Sequence, residues 1–254
     1  MSRLDETRIS RAILSAYHKK LSAGITSDVL IVGAGPAGMT AAIRLAEKGR
    51  KVSMIEKRLA PGGGIWGGGM GMNEIVIQDD ALQILDEIGV RHVSASDGLH
   101  TADAVELAAS LSARTVQAGA VLFNLMTVED VCLWDGRVTG AVVNRTLIGD
   151  ELPVDPIAFS AGAVIDATGH EARVVDALHR RRLLDLAQGT ATGEGPMDAA
   201  AGETFVVERV AEVYPGLWVC GMSVSAVLGG PRMGPIFGGM LLSGRRVADR
   251  ILEM

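Results

Sequence analysis

The sequence predicts a doubly wound α/β fold, a mostly parallel sheet carrying a smaller antiparallel β insert. Three observations point to it. Short apolar runs alternate with helical patterns along the chain. One such pair is joined by a glycine-rich turn into a β-α-β unit of about thirty residues, the size of a single crossover. A later stretch, residues 130–145, instead alternates around Asp135-Gly136, as a β-hairpin does. No fixed-period repeat or low-complexity linker divides the 254 residues, so the whole chain reads as one domain with an N-terminal helix and a β insert near 126–160.

The elements follow in order. Residues 4–23 place Ile9, Ala12, Ile13, Ala16 and Tyr17 at helical spacing, an amphipathic helix ahead of the main fold. Residues 27–32 are a short apolar run typical of a buried parallel strand, and 37–48 form a small-residue helix ended by Gly49. A second strand covers 51–56. Residues 80–88 and 102–118 read as helices stopped by Gly89 and Gly119. Strands are expected at 120–125, 162–167 and 217–220, and a closing helix at 241–252.

Composition removes several function classes. A net charge of −6 argues against a nucleic-acid binder, while leaving room for a local phosphate grip. Cys132 and Cys220 form neither a disulfide framework nor a CxxC zinc site. No apolar run reaches the roughly 18 residues that span a bilayer, and the N-terminus lacks the apolar core of a signal peptide. The expectation is a cytoplasmic protein with no membrane partner. Glycine is the anomaly, 32 residues where roughly 7% of a chain is usual, without the period of collagen.

Part of that glycine has a clear meaning. Gly33-Ala34-Gly35-Pro36-Ala37-Gly38 follows the first strand and opens the helix, matching the G-x-G-x-x-G dinucleotide fingerprint of the FAD/NAD-binding Rossmann type. Gly33 permits the tight turn, Gly35 lets a pyrophosphate approach the backbone, and Gly38 allows close helix–strand packing. Glu56 ends the second strand 18 residues after Gly38, where a carboxylate can accept from ribose hydroxyls. The motif leaves open FAD versus NAD, and cofactor versus consumed substrate.

Two further segments are glycine-rich. Residues 61–72 hold seven glycines, with Ile65, Trp66, Met70 and Met72 marking a loop that docks on something apolar. Residues 221–240 carry Arg232 as their one charge, suited to grip a carboxylate or phosphate in bidentate fashion. His179 with Arg180, Arg181 and Arg182 reads as a solvated helix face. Asp155 and His170 offer a carboxylate and an imidazole to a divalent metal such as Fe(II). Their spacing alone equally describes a turn aspartate and a hydrogen-bonded loop histidine.

Together, residues 28–38, Glu56-Lys57, PGGGIWGGGM, Val154-Asp155-Pro156, Ala167-Thr168-Gly169-His170 and PRMGPIFGGMLLSG resemble the thiamine thiazole synthase family over nearly the whole chain, most closely its archaeal and bacterial branch. The resemblance implies an enzyme of thiamine biosynthesis. In that family NAD is a substrate: nicotinamide leaves, and the ADP-ribose part condenses with glycine and a sulfur source, assisted by Fe(II), to an ADP-thiazole carboxylate. Carried over position by position, Ala37, Glu56, Lys57, Gly64, Val128, Pro153 and Met222 would line the nucleotide. Asp155 and His170 would act at the metal as its ligands, and Arg232 would hold the glycine carboxylate. The family also implies a homo-oligomer, an octamer or smaller, with metal sites shared between protomers.

The chain departs from the family at Pro153. Eukaryotic members have there a cysteine that gives up its sulfur, and sulfide-using members commonly a histidine. Proline is neither nucleophile nor ligand, so the sulfur is expected to come from free sulfide. Two rival readings stay open, an FAD-dependent oxidoreductase and a non-catalytic homologue that binds NAD or the ADP-thiazole.

Overall fold

The computed structural model describes residues 5–147, 154–184 and 193–254. Pro153 therefore lies outside the described residues. A 19-residue helix, α1 (Glu6–Gly24), opens the chain, its N-terminus capped by the Asp5 carboxylate accepting from Arg8 N–H at 2.9 Å. The apolar positions Ile9 and Ile13 stay exposed on it, while Tyr17 and Leu21 pack on the core.

The fold centres on one sheet. β1 (Thr26–Val32) is followed by α2 (Pro36–Glu47) and β2 (Val52–Glu56), and β1 pairs in parallel with β2. β3 (Glu74–Gln78), α3 (Leu82–Ile88), β4 (Val93–Ser96) and β5 (Leu99–Asp103) come next, then α4 (Ala104–Gln117) and β6 (Val121–Asn124). The hairpin β7 (Met126–Trp134) and β8 (Arg137–Arg145) leads to β9 (Ile157–Asp166) and α5 (Arg173–Arg180). The chain ends through β10 (Gly195–Met197), α6 (Ala199–Glu208), β11 (Ala211–Tyr214), β12 (Leu217–Val219), α7 (Met222–Leu228), β13 (Pro231–Arg232) and α8 (Gly238–Leu252).

The main sheet runs in the order β11-β12-β9-β1-β2-β6, parallel throughout except for β11. This is the mixed α/β architecture that the apolar runs announced. β2 is buried along its length, and β1 is buried from Val29 to Val32. Apolar runs of this kind, without alternation, belong to strands covered on both faces. β9 does double duty: residues 157–160 pair with β8, and residues 160–166 with β1. The β7–β8 hairpin is thereby bolted to the main sheet, and Arg181 ties it to α5 through an ion pair with Asp130.

Among the departures from the sequence expectations, three have a clear physical reason. The helix expected at 102–118 begins at Ala104, capped by Asp103 accepting from Glu106 N–H at 2.8 Å, and residues 99–103 form β5 in an antiparallel β3-β5-β4 sheet. β4 escapes detection because every residue in it is exposed, which removes the alternation that marks a strand. The glycine-rich stretch 221–240 contains a helix, α7, hidden because six of its seven residues are buried and no apolar face stands out.

α2 and α8 pack at close range, and small residues make this possible. A Cβ at Gly244 would lie 2.1 Å from the Ala37 carbonyl oxygen. Contact this close fixes the start of α2, and hence the fingerprint turn, against the C-terminal helix.

Candidate functional site

A cleft of about 690 Å³ opens where the C-terminal ends of four parallel strands converge. Val32 and Gly33 leave β1, Ile55 and Glu56 end β2, Ala167 and Thr168 follow β9, and Cys220 follows β12. Open α/β sheets place their ligands at this edge.

The fingerprint glycines divide as their roles require. Gly33 has φ +102°, and a Cβ on it would stand 2.4 Å from the Ala167 carbonyl oxygen. A Cβ at Gly38 would lie 2.1 Å from the Gly33 oxygen, so Gly38 serves packing and does not line the cleft. Gly35 lines the cleft and faces open space, which leaves room for a phosphate at the start of α2.

Glu56 is buried, and its two oxygens are already engaged: Oε2 accepts from Ala34 N–H at 2.8 Å and Oε1 from Arg58 N–H at 2.7 Å. Lone pairs remain on both for ribose hydroxyls. Lys57 and Gly64 also line the cleft, and the Lys57 ammonium sits 2.6 and 2.8 Å from the two carboxylate oxygens of Glu171. Arg58, which the sequence reading passed over, adds a cation beside the glycine loop and donates to the Gly63 carbonyl at 3.3 Å.

The loop at 61–72 is fixed to the fingerprint. Gly62 N–H donates to the Ala34 carbonyl at 2.7 Å, Trp66 Nε1 to the Pro61 carbonyl at 2.7 Å, and Ile65 is fully buried. Of the side chains expected to dock, only Ile65 is buried; Trp66, Met70 and Met72 stay exposed, Met70 at the edge of the cleft. Val128 from β7 and Met222 from α7 supply further wall. Six of the chain's methionines, Met70, Met126, Met197, Met222, Met233 and Met240, line this one cleft. Such a wall is apolar, polarizable and adaptable in shape.

His170 and Arg232 line the same cleft. His170 rides on a short 3₁₀ turn, Gly169–Glu171, that a buried carboxylate organises. Asp166 Oδ1 accepts from Thr168 N–H at 3.0 Å and Thr168 Oγ1 at 2.7 Å, while Oδ2 accepts from Val174 and Val175 N–H at 2.8 and 3.0 Å. Burial pushes the Asp166 carboxyl above its ordinary value, and these donors offset that only in part. Gly169 N–H donates to Ser223 Oγ at 3.0 Å, tying the turn to α7. The position of Asp166, last in a strand and just before Ala167-Thr168-Gly169-His170, was the one signal in the sequence that could have found it.

Asp155 lies exposed just before β9 and does not line the cleft, so one chain does not bring the two expected metal ligands together there. Among the described residues, no group of three or more His, Cys, Asp or Glu is placed to hold a metal ion. Arg180, Arg181 and Arg182 are exposed, as a solvated helix face requires, with Arg180 paired to Asp176 and Arg181 to Asp130, whereas His179 is half-buried.

The cysteines are poor nucleophiles. Cys220 is fully buried beneath the cleft, where burial first and the Asp166 carboxylate second push its thiol far above the ordinary range. Burial also raises the Cys132 thiol, on β7.

The sequence and fold match known proteins. The profile of the Thi4 family matches residues 10–237, a span that holds the nucleotide fingerprint, Glu56, Lys57, Asp155, His170 and Arg232. The chain belongs to the Thi4 family. It is 49% identical over 251 residues to a protein of Pyrococcus abyssi named thiamine thiazole synthase, covering 98% of both chains. It is 48% identical over 254 residues to one of that name from Methanothermobacter thermautotrophicus, covering 99% of this chain and 98% of that one. The crystal structure of Thermovibrio ammonificans THI4 is similar at a TM-score of 0.94 and 44% identity, with 99% of this chain and 98% of that one covered. Within this Thi4 chain no helix among the described residues is long and apolar enough to cross a membrane.

Proposed function

We propose that this chain is a sulfide-dependent thiazole synthase of thiamine biosynthesis, converting NAD, glycine and sulfide into an ADP-thiazole carboxylate with release of nicotinamide. The observation that carries the reading is a single cleft lined both by the nucleotide fingerprint and by His170 and Arg232.

The start of α2 at Gly35 and Ala37 would hold the diphosphate through free backbone N–H groups. The remaining lone pairs of Glu56 would take the ribose hydroxyls, with Gly64, Val128 and Met222 as walls. Arg232 would grip the glycine carboxylate through its planar fork. Held this way, the glycine amine and the carbonyl exposed by ribose opening meet as neighbours, which replaces a bimolecular encounter by an intramolecular one. The buried methionines Met126, Met222 and Met233 would keep water from part of the cleft wall around the condensing groups.

Within the cleft His170 would offer Fe(II) one ligand. An imidazole with a carboxylate is a donor set for a borderline divalent metal, and a buried Glu194 oxygen without a hydrogen-bond donor among the described residues adds negative charge beside His170. His170 would hold the ion together with Asp155 of a neighbouring protomer in a homo-oligomer, and the bound ion supplies a Lewis-acidic handle for sulfur. The raised thiols of Cys132 and Cys220 support free sulfide as the source.

The test is anoxic incubation of the purified protein with NAD, glycine, sulfide and Fe(II), followed by mass spectrometry of the released ligand. An ADP-thiazole, together with loss of iron binding in Asp155→Ala, is the expected result. A flavin absorption band would replace the reading by an FAD-dependent oxidoreductase. Tight nucleotide binding with no adduct would replace it by a non-catalytic binding protein.

A further inference from the structure

Behind the cleft-lining side chains of His170 and Arg232 sits a carboxylate to which the proposed chemistry gives no role of its own. Glu194 precedes β10, whose parallel pairing with β13 sets Gly195 beside Pro231 and Met197 beside Arg232. Gly195 N–H donates to the Gly230 carbonyl at 2.8 Å, and Asp198 N–H to the Arg232 carbonyl at 3.0 Å. This short ribbon fixes the backbone on both sides of Glu194 and Arg232. It brings Glu194 Oε1 into close contact with His170 Nδ1 and leaves Oε2 3.8 Å from Arg232 Nε.

Exposure assigns the direction. The Glu194 side chain is 11% exposed, whereas those of His170 and Arg232 are 62% and 59% exposed. The two cation-forming groups line the cleft and Glu194 does not. The carboxylate therefore approaches them from the protein side. Its contact with His170 is an ion-pair approach without hydrogen-bond alignment, since Oε1 is buried with no donor among the described residues. A buried carboxylate in that condition is costly unless neighbouring positive charge compensates it.

We propose that Glu194 is the positioning residue of this site, acting through both His170 and Arg232. A carboxylate this close to Nδ1 electrostatically favours the proton on that nitrogen and so presents the Nε2 lone pair as the ring's ligand atom. Pairing at Nε restrains the Arg232 guanidinium while leaving Nη1 and Nη2 for a two-pronged grip on a carboxylate. One acidic side chain thus sets the geometry of the metal ligand and of the amino-acid anchor together. The inference rests on the reading of His170 and Arg232 given under the proposed function.

The experiment compares the wild-type protein with Glu194→Gln, Glu194→Asp, His170→Ala and Arg232→Ala. Four quantities are measured: Co(II) binding by absorbance without turnover, NAD affinity, melting temperature, and KM and kcat for glycine. Glu194→Gln keeps the shape and removes the charge. It should weaken Co(II) binding by about 10- to 100-fold and raise the glycine KM, with NAD affinity and melting temperature close to wild type. Glu194→Asp should recover part of both losses.

If Glu194→Gln binds Co(II) and glycine as wild type does, while His170→Ala loses the metal and Arg232→Ala the glycine, the positioning role is wrong and the site reading survives. If His170→Ala and Arg232→Ala also behave as wild type, the site reading itself fails. A Glu194→Gln protein that loses NAD affinity and melting temperature in step with Co(II) binding would make Glu194 a general structural residue and overturn the proposal.

Discussion

The Glu56 carboxylate accepts the Ala34 N–H at 2.8 Å, so the acid that ends β2 holds the glycine turn that ends β1. Its other oxygen accepts Arg58 N–H at 2.7 Å, and the side chain is 5% exposed. Glu56→Gln offers only one acceptor oxygen and leaves one of these N–H groups unpaired. The expected cost is about 1–3 kcal/mol of stability, together with weaker NAD binding because the turn and the ribose partner are both disturbed. Thermal unfolding and calorimetric titration with NAD check this, and wild-type values for both would contradict it.

Gly244 and Ala37 make the same kind of link between helices. In Gly244→Ala the new methyl would meet the Ala37 carbonyl oxygen at 2.1 Å and its Cα at 2.9 Å, so α2 and α8 must separate. Overpacking of this kind costs about 1–3 kcal/mol. Because Ala37 lies on the cleft wall, NAD affinity should fall alongside the melting temperature.

The Lys57–Glu171 pair makes a pH prediction. The hydrogen bond from Lys57 holds the Glu171 carboxyl below its usual value, so the pair's contribution is present above the unfolded carboxylate pKa and is lost as pH falls through the lowered folded value. Both side chains are about half exposed, at 44% and 52%, which limits the effect to at most about 1 kcal/mol. Glu171→Gln should flatten the acid limb of the stability profile slightly. It should also strengthen NAD binding at low salt, since Lys57 then faces the cleft without a competing carboxylate. Urea unfolding across about pH 3–6 and NAD titration at two salt concentrations test the two halves.

Arg232→Lys keeps the charge and loses the planar fork. With charge-assisted hydrogen bonds worth about 1.5–3 kcal/mol, the glycine KM should rise by on the order of tenfold or more, with NAD affinity unchanged. Steady-state kinetics with glycine varied at saturating NAD measure this, and an unchanged KM would remove Arg232 from the carboxylate site.

What the sequence made legible follows from how locally each feature is encoded. The parallel strands β1 and β2 announce themselves because burial on both faces makes them continuous apolar runs. The fingerprint, Glu56 and Arg232 stand out because their residue types are unusual for their surroundings. β3 carried a readable signal, with Ile75 and Ile77 buried on alternate positions, but β4, on the far side of their shared partner β5, is exposed throughout. Glu194 and Asp166 were harder: Glu194 is placed by the pairing of β10 with the distant β13, and Asp166 acts through backbone donors at the start of α5, across a short turn with no motif of its own. Asp155 is the converse case, a residue the sequence marks and a single chain leaves off the cleft.

The measurement that bears most directly on the account is a turnover experiment with isotopically labelled sulfide, NAD, glycine and Fe(II) under anoxic conditions. The released ligand and the intact protein are both weighed by mass spectrometry. The account predicts labelled ADP-thiazole carboxylate and a protein of unchanged mass, with Cys132 and Cys220 intact. An unlabelled product formed with loss of sulfur from the protein, or no adduct from folded, iron-loaded protein, would contradict it.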